Sequence, residues 1–376
     1  MLPFMQEHFA NPGSTTHSAG RWVREQVDSA CARIANAVGA EADELVITSG
    51  ATEANNLAIL GTCLHPRQKR RKVICLASEH KAVLDPIRRL GNSGFDVLLL
   101  DVTQQPSPAA GNVDISRLEA ELDDETALVS VMLANNEIGV IQPIQQIAEL
   151  CEKHGVILHT DAAQAVGNLP VNVADLGADL VSFSSHKFYG PKGVGGLIVR
   201  SKNRRVRLLP QIVGGGQQNN LRSGTLNAPG IIGTAAALEL CLNDLHDTLQ
   251  RLGEMRNNLF ELLSSKIEGV TLNGPSLVAG GDSSQFARLP GNLNCSFAGV
   301  EGQSLMLELP QLAVSSGSAC TSAEPEPSHV LLALGLSQDQ ARSSLRFGIG
   351  RTTTQEQIEQ TSSWVSEAVG RLRKFI

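Results

Sequence analysis

From about residue 40 to residue 200, short apolar runs alternate with stretches of helical periodicity. Val73–Ala77, Val97–Leu100, Ala127–Leu133, Val156–Thr160 and Leu180–Ser184 each read as a strand, as does the short run Leu45-Val46-Ile47. The clearest helix opens at Pro143, sets Ile144, Ile147, Ala148 and Cys151 on one face and ends at Gly155. Proline then takes the first helical position and glycine the position past the end. Near-continuous apolar strands between amphipathic helices predict an α/β domain, built on a mostly parallel sheet covered on both faces. In such sheets ligands sit at the carboxyl ends of the strands. Beyond Gly230 the pattern changes: one long helical region runs to about Glu268, strand-like runs such as Asn292–Ser296 follow, and helices close the chain. That predicts a smaller α+β domain, with large and small domains at residues 1–245 and 246–376. Met1 to Phe9 read as the tail of a helix with Leu2, Met5 and Phe9 on one face.

The length of 376 residues suits about two domains. A net charge of −7 argues against a nucleic-acid binder, and the basic clusters Arg67–Lys72 and Arg200–Arg207 read as solvated faces beside strands. Seven cysteines, an odd count without a Cys-x-x-Cys pair, argue against a disulfide framework or a zinc site. They point to a reducing compartment, and cytoplasmic is the expected location. No signal peptide is read at the N-terminus, and no apolar stretch reaches the ~20 residues of a membrane span.

Lys187 carries the most telling chemistry. It sits in Ser184-Ser185-His186-Lys187, after an apolar run and before a loop rich in glycine and proline. An amine so placed can condense with an aldehyde, for which pyridoxal phosphate (PLP) is the usual carrier. An isolated Ser-His-Lys is more often a surface loop. Asp161, however, ends the preceding strand, where a carboxylate can pair with a pyridinium nitrogen; its plain alternative is a helix cap. Ser49-Gly50-Ala51-Thr52-Glu53 opens a helix after a strand and suits a phosphate, though Thr52 could simply be a cap. His80, just past a strand, could stack on a cofactor ring and shuttle protons. Cys320 lies among small polar residues in an expected exposed loop, a setting for a nucleophile rather than for an inert core thiol. Arg346 could bind a carboxylate bidentately or form a structural ion pair. Gly214-Gly215-Gly216-Gln217 and Arg222-Ser223-Gly224-Thr225 form a second donor-rich stretch suited to an anion.

These segments occur in a familiar order. Ser49-Gly50-Ala51-Thr52-Glu53, Glu79-His80-Lys81-Ala82-Val83-Leu84, Asn135-Asn136-Glu137-Ile138-Gly139, His159-Thr160-Asp161-Ala162-Ala163-Gln164, Ser185-His186-Lys187, Arg222-Ser223-Gly224-Thr225 and the segment from Ser315 to Ser322 together resemble the NifS-like, group I cysteine desulfurases, within the class V aminotransferases. The resemblance runs from about Asn11 to Arg371. It implies the fold type I of PLP-dependent transferases, with a seven-stranded sheet in the large domain. Lys187 would carry PLP and move the Cα proton. Asp161 would pair with the ring nitrogen, Gln164 would contact the ring hydroxyl and His80 would stack on the ring. Ala51, Thr52, Ser184 and His186 would hold the phosphate, with Thr225 reaching in from the other subunit of a homodimer. Asn136, also counted with the cofactor, and Arg346 would bind the carboxylate of L-cysteine. Cys320 would take the sulfur as a persulfide and leave alanine, feeding iron–sulfur cluster assembly or thiolation through an acceptor or scaffold protein.

The chain departs from this pattern in three places. It shows no Ala-Thr-Thr-Pro motif upstream of Asn11-Pro12, it carries Gln218 where a glutamate is usual, and it lacks the longer tail with which the bacterial housekeeping members dock a scaffold protein. A chain beginning at this methionine is expected to bind PLP but to turn over cysteine more weakly than one extended upstream. Two rivals remain at this level: a cysteine/cystine C–S lyase or selenocysteine lyase on the same fold, and a non-catalytic subunit that docks partners.

Overall fold

The structure is a computed structural model that describes residues 1–200, 206–277, 287–316 and 326–375. The chain divides into two compact units. The first comprises Met1–Leu100, Ile115–Leu133 and Gln142–Leu245; the second comprises Asp101–Asp114, Ala134–Ile141 and His246–Ile376.

The first unit is built on seven strands: β1 (Leu45–Thr48), β2 (Lys72–Leu76), β3 (Asp96–Leu100), β4 (Thr126–Ser130), β5 (Ile157–Asp161), β6 (Leu180–Ser184) and β7 (Gly195–Val199). Their order across the sheet is β1-β7-β6-β5-β4-β2-β3. The ladders β2–β3, β2–β4, β4–β5 and β5–β6 are parallel, whereas β7 runs antiparallel to both β6 and β1. The expected mostly parallel seven-stranded sheet is present. The central strands β4 and β6 are buried at every position, as their near-continuous apolar runs imply. One face is covered by the helices Ala51–Cys63 and Lys81–Gly91, which press Ile59, Leu60, Val83 and Ile87 onto Val73, Cys75 and Ala127. Each such aliphatic side chain contributes about 1.5–3 kcal/mol on burial.

Several elements differ from the sequence reading. Strand β7 opens on two glycines inside the glycine-rich loop, which leaves it an apolar run of only three residues, Leu197-Ile198-Val199. A Cβ on Gly195 would stand 2.5 Å from the Phe183 carbonyl oxygen and 2.6 Å from Gly50 Cα, so only glycine fits. Pro143 is the cap, and the helix itself is Ile144–Lys153, burying the four residues expected. The long helical region is two helices, Ala228–Asn243 and Leu245–Lys266, broken at Asp244. The N-terminal helix spans only Leu2–Gln6, which leaves Phe9 outside it and 76% exposed. Arg70, assigned to a solvated face, instead ties three backbone carbonyls together: those of Thr126, His154 and Gly155.

In the second unit β8 (Val270–Leu272), β9 (Asn292–Phe297) and β10 (Ser344–Gly348) form an antiparallel sheet in the order β10-β9-β8. Leu259, Leu263, Ile358 and Val365, on two helices, close its core over Leu293, Phe297 and Phe347. Among the described residues no helix is long and apolar enough to cross a membrane.

Candidate active site

Two neighbouring strand ends carry the chemistry of the first unit. Asp161 closes β5, and β6 beside it delivers Ser184 and then a short 3-10 turn, Ser185–Phe188, that holds Lys187. The Asp161 carboxylate is buried and oriented from two sides. Asn55 Nδ2 donates to its Oδ2 at 2.7 Å, and the Ala163 amide donates to its Oδ1 at 2.9 Å. Each oxygen keeps a further lone pair for a donor in the crevice. Lys187 is exposed, and its carbonyl accepts from Asn168 Nδ2 at 3.1 Å. The same amide group reaches the Gln164 carbonyl at 3.3 Å, so one side chain ties the Gln164 and Lys187 backbones together.

Glu79 is fully buried, with the Met132 amide donating to its Oε1 at 2.7 Å. Burial pushes its carboxyl well above the usual range and the Asp161 charge adds to this, while the Met132 hydrogen bond opposes both. His159, two residues before Asp161, is pinned between strands: Nδ1 lies 2.8 Å from Ser130 Oγ and Nε2 lies 3.0 Å from Ser182 Oγ. Burial lowers its pKa from 6.5 to about 3, so the ring is neutral.

The turn between β1 and the helix Ala51–Cys63 is shaped for an anion. Gly50 sits at φ 151°, ψ 179°, a conformation open essentially to glycine alone. Its missing Cβ would point to within 3.4 Å of Ser184 Oγ. The first helical amides, Ala51 and Thr52 among them, have no side-chain cap, and Thr52 is exposed. Ser184 Oγ lies 2.9 Å from His186 Nδ1. Partial burial lowers the His186 pKa, and the charges on Lys187 and Lys192 lower it further. Sequence-distant phosphate candidates are thus brought to one turn. His80 caps the helix Lys81–Gly91, its Nδ1 accepting from the Ala82 amide at 3.0 Å, which fixes the plane of the ring. His80 and Thr52 border one cavity of about 420 Å³, which Lys81, Asp85 and Arg89 also line.

Loop residues 212–224 press on the same turn. Arg222 donates to Glu53 at 2.8 and 3.2 Å, and the Ser49 amide donates to Glu53 at 2.8 Å. Burial alone would raise the Glu53 pKa, but these hydrogen bonds outweigh it and hold the carboxyl below its usual range. Thr225, next to this loop, is exposed.

In the second unit Asn136 and Arg346 meet: Arg346 Nη1 donates to the Asn136 carbonyl at 2.8 Å. Arg346 is anchored in turn by its backbone, which exchanges hydrogen bonds with Ser315 at 2.7 and 3.3 Å. The Asn136 segment is braced by Asn135 Oδ1, which accepts from the Glu137 and Ile138 amides, and by Asn292, which donates to the Glu137 carbonyl at 3.2 Å. Cys320 lies outside the described residues. Burial pushes the thiols of Cys31, Cys63 and Cys295 up to about 12 and raises that of Cys75 well above its ordinary value. These four are therefore poor nucleophiles at neutral pH.

The sequence reading missed Asn55, Glu79, Glu53 and Asn168 as parts of the site. Asn55 could have been suspected because it and Asn56 interrupt the apolar helix run Ala54–Leu60. The others give no signal of their own.

The residues present fit PLP. A buried, doubly oriented carboxylate stands at one strand end for a protonated ring nitrogen. A lysine follows the next strand for the aldehyde, and a glycine turn with free helix amides and a hydroxyl suits the phosphate.

Comparison with known proteins agrees. The family model described as "Aminotransferase class-V" matches residues 1–361. "Cysteine desulfurase IscS" of Anaeromyxobacter sp. (strain Fw109-5) is 46% identical over 375 residues, covering 100% of this chain and 89% of that protein. "Cysteine desulfurase, mitochondrial" of Drosophila melanogaster is also 46% identical, covering 100% of this chain and 78% of its own length. A solved structure titled "NIFS-LIKE PROTEIN" superposes with a TM-score of 0.88 at 31% identity, covering 98% of this chain and 94% of its own. The architecture is that of fold-type-I PLP enzymes, and on the family match and these likenesses the chain belongs to the class-V aminotransferases.

Proposed function

We propose that the chain is a PLP-dependent cysteine desulfurase, which takes sulfur from L-cysteine, leaves L-alanine and holds the sulfur on Cys320 as a persulfide. The observation that carries this reading is the placement of Asp161 and Lys187 after adjacent parallel strands, with Asp161 held by Asn55 and the Ala163 amide. When bound, PLP supplies an electron sink for the carbanion formed at the substrate Cα.

The protein's residues do the rest. Lys187 would hold the cofactor through Nζ and would move the Cα proton. Asp161 keeps the ring nitrogen protonated, Gln164 contacts the ring hydroxyl and His80 stacks on the ring. Ala51, Thr52, Ser184 and His186 hold the phosphate, and Thr225 of the partner subunit completes it in a homodimer. Asn136 and Arg346 bind the substrate carboxylate, for which the guanidinium offers a planar fork. The Cys320 thiolate attacks the substrate sulfur: an S–S bond forms and the C–S bond breaks. The electron pair stays with the carbon fragment, which is protonated to alanine. The likeness to proteins named cysteine desulfurase supports this substrate. It also supports a sulfur acceptor downstream, in iron–sulfur assembly or thiolation, and a cytoplasmic location suits the thiol chemistry.

Borohydride reduction of the purified protein should fix PLP on the peptide containing Lys187. Cys320→Ser should keep the cofactor absorbance but lose persulfide and multiple-turnover sulfide. Label on another lysine would overturn the anchoring residue. Sulfide release near the wild-type rate from Cys320→Ser would make the protein a C–S lyase instead.

A further inference from the structure

The turn that offers its amides to a phosphate is not self-supporting. On its upstream side Ile47 belongs to β1, the edge strand of the large sheet, whose outer groups have no neighbouring strand among the described residues. The Gln218 side chain takes the place of one. Its Oε1 accepts from the Ile47 amide at 2.7 Å, and its Nε2 donates to the Ile47 carbonyl at 2.9 Å. On the downstream side Arg222 grips Glu53, which also accepts from the Ser49 amide. Three residues separate Gln218 from Arg222, and the chain around them is held tightly. Gln218, Asn219 and Asn220 are all left-handed, at φ 50°, 57° and 64°. Such residues persist only where the surroundings over-determine them. The surroundings here are Ser223 Oγ, which accepts from the Gly216 amide at 3.2 Å, and Gln217 Oε1, which accepts from the Gly224 amide at 2.8 Å. The loop is a closed clip with two contacts, one on each side of Ser49-Gly50-Ala51-Thr52.

We infer that Gln218, Arg222 and Glu53 are positioning residues that set the phosphate turn from outside, with Gln218 acting through both ends of its carboxamide. This rests on the assignment of that turn to the PLP phosphate. The chemistry at Gln218 is selective. A carboxylate in its place could accept from the Ile47 amide but could not donate to the Ile47 carbonyl, and it would set a charge against that oxygen. Glutamine is therefore matched to this edge.

Pyridoxal, which lacks the phosphate, separates positioning from general damage. Apo protein would be titrated with PLP and with pyridoxal, and the ratio of the two dissociation constants compared among wild type, Gln218→Met, Arg222→Lys and Glu53→Gln. Thermal melts of each apo protein identify the variants that fold. Each folded variant should bind PLP about tenfold more weakly while its affinity for pyridoxal stays within about twofold of wild type, since the lost hydrogen bonds act only through the phosphate. An unchanged ratio in the folded variants would overturn the inference, as would a proportional loss of both ligands. A wild type that shows no preference for PLP over pyridoxal would instead overturn the assignment of the turn itself.

Discussion

Mild acid should loosen the large sheet through His159 before the surface carboxylates titrate. The folded chain keeps this ring neutral down to about pH 3, against an ordinary value of 6.5. Between those values the unfolded chain binds the extra proton and the folded chain does not, so stability falls as pH falls. Linkage with these two pKa values gives a loss of about 2 kcal/mol between about pH 8 and about pH 5. The structural cause is explicit: the Ser130 and Ser182 hydroxyls occupy both ring nitrogens in a fully buried setting. Glu79 contributes with the opposite sign, because its folded-state pKa is raised and its protonated form favours folding as pH falls.

A difference measurement removes that background. His159→Gln should be less stable at pH 8 by about 1–3 kcal/mol, for a disturbed buried hydrogen-bond pair. Its pH dependence over the same window should be flatter than the wild type's by about 2 kcal/mol. Urea unfolding of the full chain, followed by Trp22 fluorescence in a Trp364→Phe background, reads the first unit, since the sequence has only these 2 tryptophans. Equal pH dependence in the two proteins, or a histidine resonance assigned to His159 that titrates near its ordinary value, would refute the reasoning.

Two further outcomes are expected. Asn55→Ala removes the 2.7 Å donor from Asp161; kcat with L-cysteine should fall about 10- to 100-fold, as for loss of a hydrogen bond to a buried charge, and an unchanged kcat would show that the Ala163 amide suffices. Arg346→Lys replaces a planar fork with a point charge, so KM for cysteine should rise about tenfold or more with the cofactor spectrum unchanged; an unchanged KM would remove Arg346 from carboxylate binding.

The sequence was most readable where one physical rule acts alone. Strands buried on both faces, such as β4 and β6, announce themselves as mostly apolar runs because few polar groups find partners there. Strand β7 was hidden because a close approach to Gly50 demands glycine where a strand would normally carry bulk. The break at Asp244 was hidden because the amphipathic pattern continues through it into a second helix. In the site, Lys187 and Asp161 were legible because each combines a reactive group with a strand end. Asn55 was not, since its value lies in reaching a residue 106 positions away. Likewise Glu53 and Arg222 stood in separate motifs, and only folding shows that they pair.

The reversal of direction at β7 has a mechanical consequence. Ser184 on β6 is paired with Gly195 on β7, so residues 185–194 leave the sheet and return to it at adjacent positions. A helical crossover would have sent the chain away across a face of the sheet. Here the loop is cinched at its base, and the Ser185 amide donates to the Val194 carbonyl at 3.0 Å one step further out. The entropy of closing such a loop is settled when the sheet forms, not each time the enzyme turns over. In the proposed mechanism Lys187 alternates between anchor and proton carrier by rotating four methylenes, with its Cα as a fixed pivot. Lengthening this loop by even one residue would shift the pivot while leaving every reactive group in place.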